Sequence, residues 1–421
     1  MMRPPFRDQG SLPRMTKTTR TPIVPQDLEP SRQEPMATPL SSSELLRRLL
    51  AFDTQSFRSN LPLVGFVREH LAQVGIESRL VHDDRGEKAN LWAVIGPADR
   101  PGLILSGHTD VVPVAGQAWS SDPFAPVVRD GRVHGRGAAD MKGFLACCLA
   151  LAPELRALDL RRPVILAFSY DEEVGCKGVP RLIEAILAAL PRPEACLVGE
   201  PTMMRLVDGH KGKAGYRCTV TGREAHSAYP ALGANAVIAA ARIIAEVAAM
   251  GERFAQEGPF VVGFDPPHHT AGVGRIEGGA QLNIVPKRCF FEFEFRTLPE
   301  EDPLRFVEAV RRFAKERVLP DLRAAAPEAE IAFEEILSYP GLAPGPDSPF
   351  ARLCRELSAT PTPTKVAFGT EAGCFAARGI PALICGPGDI AVAHKPDEWI
   401  ALEQLERCDA FLRRLVREAL C

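Results

Sequence analysis

The sequence predicts an α/β fold built on a mixed sheet, with a smaller α+β unit inserted into it. From residue 41 to residue 200, strand-like runs alternate with helical ones, an order typical of a sheet covered by helices on both faces. Short strands predominate from 209–212 onward, and the first pattern returns at Tyr339. A chain of 421 residues also exceeds what one core usually holds. We therefore predict a first domain at 40–210 and 338–421, an inserted domain at 211–337, and a disordered leader at 1–39.

The apolar spacing predicts the helices and strands of both domains in turn. Ser41 and Glu44 form a capping-box pattern at the start of the first helix. In the first domain we expect helices at 41–50, 61–74, 144–158, 179–190, 349–357 and 402–419, and strands at 78–81, 90–95, 103–105, 164–168, 195–198 and 382–385. In the inserted domain we expect strands at 217–221, 274–277, 281–285 and 289–296 and helices at 234–250 and 303–318, with an end near 331–336.

Charge and composition argue against several classes of partner. A net charge of -3 and a pI near 6.3 give no electrostatic reason to expect nucleic acid or an anionic membrane. No run approaches the roughly 18 to 20 apolar residues that span a bilayer. The 11 cysteines include no C-x-x-C pair, which favours free thiols in a reducing cytosol over a disulfide framework or a zinc ribbon. We expect a cytoplasmic protein with a small or peptidic substrate.

The leader carries two competing interpretations. It is rich in Pro, Arg, Thr and Gln and lacks apolar periodicity, which predicts disorder. Its arginines favour a transit peptide, but acidic residues between Asp8 and Glu34 argue against one, and the apolar region of a secretion signal is missing. The alternative is a start codon assigned too early, with Met36 as the true start.

The strand at 103–105 runs into polar residues that are suited to metal binding. Ser106 and Gly107 lead to His108 and Asp110 at the edge where open α/β sheets place their chemistry. His108 can bind a metal through one ring nitrogen while Asp110, on the same face, accepts a hydrogen bond from the other. If this stretch is taken alone, a solvated strand end explains His108 and Asp110 better than a metal site does. The remaining motifs therefore decide between these two interpretations.

A carboxylate follows in the glycine-rich turn GRGAADMKG, just before the helix expected near Gly143. Asp140 in this turn is either a helix N-cap or a ligand near the positive end of the helix dipole. The stretch is not a dinucleotide-binding fingerprint, because Asp140 occupies the place of the third glycine.

Acids also follow two further strands, and a second histidine lies near the end of the chain. Asp171, Glu172 and Glu173 come directly after the strand at 164–168, and Glu200 follows the strand at 195–198. Successive acids repel one another unless a cation is near, although a solvated acidic loop remains an alternative. His394 follows the loop after the last strand. Two histidines and several carboxylates at one sheet edge form an N/O ligand set suited to Zn²⁺, Co²⁺ or Mn²⁺.

These motifs in their order resemble the M20 family of di-metal amidohydrolases and aminopeptidases. The similarity covers about residues 42–421 and rests on HTDVVP, GRGAADMKG, DEEVG, GEPT and AHKPDE. Within the family the chain is most similar to acetylornithine deacetylases, at 369–373, 386–390 and 394–398, where succinyl-diaminopimelate desuccinylases usually differ. The resemblance implies a zinc-peptidase-like catalytic domain and an inserted, ferredoxin-like domain that forms a homodimer.

The resemblance also implies a role for each candidate residue. Two divalent ions are expected, Zn²⁺ foremost and Co²⁺ as the alternative: His108 and Glu200 hold one, Glu173 and His394 hold the other, and Asp140 bridges both. Glu172 is then the general base, and Asp110 orients His108. His226, in AHSAYP, is similar to the family histidine that reaches the active site across the dimer and stabilises the oxyanion. Asn283 and Arg296 are similar to positions near the substrate, but Asn283 equally suits a strand end and Arg296 a pair with Glu294 or Glu292.

The implied reaction is hydrolysis of N-acetylornithine to ornithine and acetate, as in arginine biosynthesis. Two ions lower the pKa of a water molecule from roughly 15.7 toward neutrality, and Glu172 moves its proton. A covalent acyl-enzyme is disfavoured, because Ser106 and Ser169 lack a G-x-S-x-G setting and Cys147 and Cys148 lie in an apolar helix pattern. The alternatives are other M20 activities (aminoacylase, desuccinylase or dipeptidase) and a non-catalytic metal-binding protein.

Overall fold

The computed structural model describes residues 39–421, which form one compact unit. The predicted leader, except for residue 39, and the alternative start at Met36 lie outside the described residues. Within 39–421 no helix combines the length and the apolarity that a membrane crossing needs.

The described chain alternates helices and strands over most of its length. The helices are α1 (Ser42–Leu50), α2 (Leu61–Gln73), α3 (Gly143–Ala157), α4 (Val179–Ala189), α5 (Ala236–Glu257), α6 (Leu304–Phe313), α7 (Leu319–Ala325), α8 (Pro349–Leu357), α9 (Ala372–Ala377) and α10 (Leu402–Leu420). The strands are β1 (Ser78–His82), β2 (Ala89–Ile95), β3 (Leu103–His108), β4 (Val127–Arg129), β5 (Arg132–His134), β6 (Val164–Ser169), β7 (Ala195–Pro201), β8 (Val207–His210), β9 (Gly212–Thr221), β10 (Ala225–His226), β11 (Thr270–Gly278), β12 (Ile284–Val285), β13 (Arg288–Thr297), β14 (Glu330–Tyr339), β15 (Thr364–Val366), β16 (Ala382–Gly386) and β17 (Trp399–Ala401).

The main sheet has eight strands in the order β1-β2-β6-β3-β7-β16-β8-β15. Its centre, from β6 to β16, is parallel, and β1, β2 and β8 make antiparallel pairs. Leu103 and Leu105 pack with α1, α2, α3 and α10, whereas Ile104 between them packs with α4 and α9. Both faces are thus covered, as parallel strands require. The predicted α/β fold with a mixed sheet is confirmed.

A second sheet of four antiparallel strands has the order β11-β13-β9-β14. Together with its helices it follows the β-α-β-β-α-β order of a ferredoxin-like unit. Residues along β13 alternate between buried and half-buried, and Phe291, Phe293 and Phe295 pack with α5 and α6. One face of the sheet therefore has its own apolar core, and the other face bears side chains such as Glu292 and Arg217.

The chain passes between the two sheets at two adjacent points. His210 and Leu342 exchange main-chain hydrogen bonds of 3.0 and 2.9 Å. A Cβ on Gly341 would lie 2.9 Å from the nitrogen of Gly212 and 2.6 Å from the Cα of Pro299, so the two chain segments cross backbone against backbone. These crossings lie near the expected boundaries at 211 and 338, and the division into separate domains stays a prediction.

Most predicted helices and strands lie where the sequence predicts them, with differences at their ends, but some short elements differ or were not predicted. The strand expected at 281–285 is only Ile284–Val285. The helix expected at 303–318 is α6, which continues from Ala314 to Val318 as a π-helical turn before α7. The sheet of β17, β5 and β4 was not predicted. Its three-residue strands are too short to show an alternating pattern.

Candidate metal centre

The carboxyl ends of neighbouring parallel strands bring the candidate ligands together. His108 ends β3, Glu200 lies near the end of β7, and Glu173 follows β6. A Cβ on Gly199 would lie 1.9 Å from the ring of Phe144, and one on Gly107 would lie 2.5 Å from Met141. Glycine before each strand-borne ligand therefore lets the 141–144 segment pack directly on the sheet edge.

Asp140 lies between the two histidines and contacts both. Its Oδ1 is 3.0 Å from Nε2 of His108, and its Oδ2 is 3.2 Å from Nε2 of His394. The side chain is not used as a helix cap, because the residue before α3 is Lys142 and no side chain caps that helix. The N-cap alternative for Asp140 is therefore wrong, since both carboxylate oxygens are directed at imidazole rings.

Two groups of ligands share this carboxylate. The first is His108, Asp140 and Glu200, and the second is Asp140, Glu173 and His394; within each group the ligand atoms lie within 4.8 Å of one another. In the second group Oε2 of Glu173 is 3.2 Å from Nε2 of His394. One carboxylate common to two groups is the arrangement expected of a bridging ligand between two ions.

The carboxylates of the centre are crowded and desolvated. Burial, with the charge of Asp140, raises the pKa of Glu200 well above its usual value and that of Glu173 to about 7. Burial alone would lower the pKa of His108, but the hydrogen bond to Asp140 and the charge of Glu200 raise it. Hydrogen bonds to Asp140 and Glu173 raise the pKa of His394 to about 10. Protons on the His108 and His394 rings thus offset the negative charge of the carboxylates, which a bound cation would also neutralise.

The residues present fit two divalent cations. Oε1 of Glu173 and Oε1 of Glu200 are buried with no hydrogen-bond partner in the described chain, and such buried orphan acceptors are rare unless something binds them. Each group combines one imidazole with carboxylates, the N/O set preferred by Zn²⁺ and by Co²⁺.

Glu172 lies beside both groups without being a member of either. Burial, with the negative charges of Glu173 and Asp140, raises the pKa of Glu172 well above its usual value, although the charge of His108 opposes the shift. The thiol of Cys176 donates to Oε1 of Glu172 at 3.5 Å. A buried carboxylate of high proton affinity next to a metal centre is suited to accept a proton.

The predicted contact between His108 and the carboxylate of Asp110 needs a correction. Nδ1 of His108 donates to the main-chain carbonyl of Asp110 at 2.9 Å, and the carboxylate is 3.7 Å away. The carboxylate instead accepts from Ser56 at 2.7 Å and from the main-chain N–H groups of Glu172 and Glu173 at 3.1 and 3.3 Å. Asp110 therefore fixes the ring through its backbone and the acidic turn through its side chain.

Three other candidates are not part of this cluster in the described chain. His226 is exposed on β10, and its Nδ1 accepts from the N–H of Ala228 at 3.1 Å. Asn283 is exposed in the neighbouring turn. Arg296 pairs with Glu294 at 2.9 Å, the alternative left open by the sequence. The roles of these residues at the substrate stay predictions.

Two sets of buried charges around the centre were not predicted from the sequence. Glu371 accepts hydrogen bonds of 2.6 Å from Ser106 on β3 and from Ser169 on β6. Arg136 and Glu398 form an ion pair of 2.6 Å whose side chains are 1% and 0% exposed. Arg136 and Glu398 lie inside motifs that were interpreted only for Asp140 and His394, and Glu371 lies in the 369–373 stretch that was used only for the family resemblance. Charged residues within these motifs were the available signal.

Comparisons with known proteins agree with this centre. Residues 104–418 match the sequence pattern of "Peptidase family M20/M25/M40". An acetylornithine deacetylase from Myxococcus xanthus is 37% identical over 376 residues, which are 88% of this chain and 95% of the relative. An M20 family metallo-carboxypeptidase from Sulfolobus solfataricus has a similar fold (TM-score 0.71, 19% identity, 89% of this chain and 98% of that one). So has a dinuclear metal binding peptidase of the M20 family from Bacillus subtilis (TM-score 0.59, 17% identity, 90% and 97%).

Proposed function

Because the chain belongs to peptidase family M20/M25/M40 and is a metallohydrolase, we propose that it hydrolyses the amide bond of N-acetylornithine to give ornithine and acetate. The observation that carries the proposal is Asp140, whose two oxygens contact one histidine of each ligand group, with Glu172 beside them. The similarity to an acetylornithine deacetylase supports this choice of substrate. The 11 free thiols support a reducing compartment, the cytoplasm.

The proposed centre holds two divalent ions, Zn²⁺ or Co²⁺. His108 and Glu200 would hold one, Glu173 and His394 would hold the other, and Asp140 would be a ligand common to both. Such ions, when bound, lower the pKa of a water molecule toward neutrality and polarise the scissile carbonyl. Glu173 and Glu200 each present a buried oxygen that has no hydrogen-bond partner among residues 39–421, which supports their place in this set.

Glu172 performs the proton transfers of the proposed reaction. Its carboxylate takes a proton from the attacking water, whose oxygen forms a bond to the acyl carbon. The carbon–nitrogen bond then breaks, and Glu172 returns the proton to the leaving amine. Asp110 holds the turn that carries this base through the N–H groups of Glu172 and Glu173, so the carboxylate stays in place during both transfers.

A panel of substrates tests the proposal directly. Protein reconstituted with Zn²⁺ or Co²⁺ is assayed with N-acetylornithine, N-acetylmethionine, N-succinyl-diaminopimelate and a dipeptide. We expect the highest kcat/KM for N-acetylornithine. A higher value for one of the other compounds would replace the substrate and keep the hydrolase. Absence of turnover with all four, in protein that binds two ions, would favour a non-catalytic metal-binding protein.

We further propose a homodimer in which His226 of one subunit stabilises the oxyanion in the site of the other. In the described chain His226 is exposed, and its contacts do not include any of the metal ligands. Around it Tyr229, Leu232 and Leu282 are 64%, 66% and 102% exposed, and exposed apolar side chains that lie together are typical of a protein–protein interface. An oxyanion donor contributes about 3 to 4 kcal/mol to the transition state in comparable sites.

Mixing two inactive variants tests the homodimer. Glu172→Gln alone should keep both ions and lose about 10²- to 10⁴-fold in kcat, and His226→Ala should lose kcat with unchanged metal content. A mixed dimer has one site with both residues intact, so unfolding and refolding the two variants together should restore activity. No recovery in a mixture whose mixed dimers are demonstrated by mass would contradict the role of His226 across subunits.

A further inference from the structure

The buried ion pair of Arg136 and Glu398 is not explained by stability alone. Its side chains are 1% and 0% exposed, and removing two charges from water costs several kcal/mol for each ion. Apolar residues of similar size often serve as well or better at such positions. The partners of the two charged groups therefore have to explain why the pair is present.

Glu398 holds the peptide that carries the shared ligand. Its Oε2 accepts from Arg136, while its Oε1 accepts from the N–H groups of Ala139 at 2.9 Å and Asp140 at 3.2 Å. Asp140 has non-helical backbone angles inside its turn (φ -119°, ψ 97°), so its N–H is directed away from the helical pattern. The carboxylate of Glu398 thus orients the backbone from which the Asp140 side chain extends.

Arg136 reaches the other side of the centre. Its guanidinium donates to the carbonyl of Lys395 at 3.3 Å and to Oε1 of Gln117, and Nε2 of Gln117 donates to the carbonyl of His394 at 2.7 Å. The His394 side chain is 51% exposed, and its φ is 62°. The chain of contacts therefore ends at the backbone of the ligand that lies on an exposed loop.

We propose that Glu398, Arg136 and Gln117 are positioning residues that hold Asp140 and His394 at the spacing required by the second ion. This inference rests on the two-ion centre proposed above. His108 and Glu200 lie on β3 and β7 and are held by the sheet, so the first ion depends on this network only through Asp140. Loss of the network should weaken the second ion selectively.

Calorimetric titration of metal-free protein with Zn²⁺, and with Co²⁺ followed by absorbance, tests the inference. Gln117→Ala leaves the buried pair intact and cuts its connection to His394, and Glu398→Gln disturbs both ends. In Gln117→Ala we expect the first binding constant to stay unchanged and the second to fall about 10- to 100-fold, as for other residues that orient metal ligands. In Glu398→Gln, which also releases the Asp140 backbone, we expect the second constant to fall by more than the first. Arg132→Gln is the matched control, because Arg132 lies on β5 and stacks on Trp399 at 3.8 Å outside the network.

A second variant separates positioning from stability. Arg136→Met/Glu398→Leu removes both charges together, which often preserves stability. Its second metal-binding constant should nevertheless be weakened, as in the single variants. Hydrogen exchange of the Ala139 and Asp140 amides in metal-free protein should be faster, because their acceptor is lost. Wild-type constants in Gln117→Ala and Glu398→Gln would overturn the inference, and so would an equal fall of both constants together with Tm. Wild-type protein that binds fewer than two ions would instead overturn the proposed function.

Discussion

The two ligand groups are built on different kinds of support. His108 and Glu200 of the first group are buried on the central strands β3 and β7, with neighbouring glycines that admit the 141–144 segment. In the second group Glu173 lies in a turn and His394 on a loop where half of its side chain is exposed. In the proposed two-ion centre, the sheet itself would therefore position the first ion, whereas the second would depend on the network of side chains proposed above.

Removing one histidine from each group should give the largest contrast. His108→Ala takes a buried ring from the strand and leaves Asp140 without one of its partners, so we expect loss of the first ion and a weakened second one. His394→Ala should lose the second ion only. Each loss should exceed the roughly 10- to 100-fold in affinity typical of an outer partner. Metal content by mass spectrometry and calorimetry measures both. An equal affinity for the remaining ion in the two variants would contradict the distinction.

Adding a methyl group at the sheet edge should have a smaller effect, which appears in the free energy of unfolding. Gly199→Ala would place its Cβ 1.9 Å from the Phe144 ring, and overpacking of this kind costs typically about 1 to 3 kcal/mol in unfolding free energy. Gly65→Ala in α2 is the control, because no atom of the described residues lies within 4 Å of the added Cβ and alanine is preferred in a helix by about 0.5 to 1 kcal/mol. Urea unfolding measures both; equal stability of the two variants would show that the strand edge is not tightly packed.

The smallest expected effect is a slope of stability with pH, caused by a buried histidine. Nδ1 of His210 donates to the carbonyl of Lys211, and its Nε2 accepts from Gly373; burial lowers the pKa of His210 to about 4. Above about pH 6.5 the ring is neutral in both the folded and the unfolded state. Between about 6.5 and 4 only the unfolded state binds the proton, so the unfolding free energy falls as pH falls, by up to about 1.4 kcal/mol per unit.

Variants of the two kinds of histidine measure this slope. In metal-free protein, denaturant unfolding at several pH values should show a shallower slope for His210→Gln than for wild type. His82→Gln is the control: it changes an exposed side chain on β1 and should keep a steeper slope than His210→Gln. A His210→Gln slope equal to that of wild type would assign the acid sensitivity to other groups.

The strand-borne half of the centre was predictable from the sequence, because a polar residue directly after a buried strand lies at the edge of the sheet. His108 and Glu200 follow such runs, and the parallel order of β3 and β7 brings them together. His394 lies on a loop, whose shape depends on contacts with residues far away in the chain. Its assignment, and the separation of Glu172 from Glu173, came from resemblance to a family.

The supporting network could not be predicted in the same way. Arg136 and Glu398 are 262 residues apart, and no local pattern relates residues at that separation. The hydrogen bond of His108 was assigned to the wrong group of Asp110, since spacing along a strand does not distinguish a main-chain carbonyl from a carboxylate. Fold class and long elements follow from local periodicity, and the partners of buried charges follow from packing.

The shared carboxylate of Asp140 makes the two positions interdependent. An ion at either one fixes the orientation of the same side chain and thereby alters the cost of placing an ion at the other. By thermodynamic reciprocity, whatever the first cation does to the affinity for the second, the second does equally to the first. The proposed centre should therefore respond to a falling metal supply as a coupled pair of positions rather than as two independent sites.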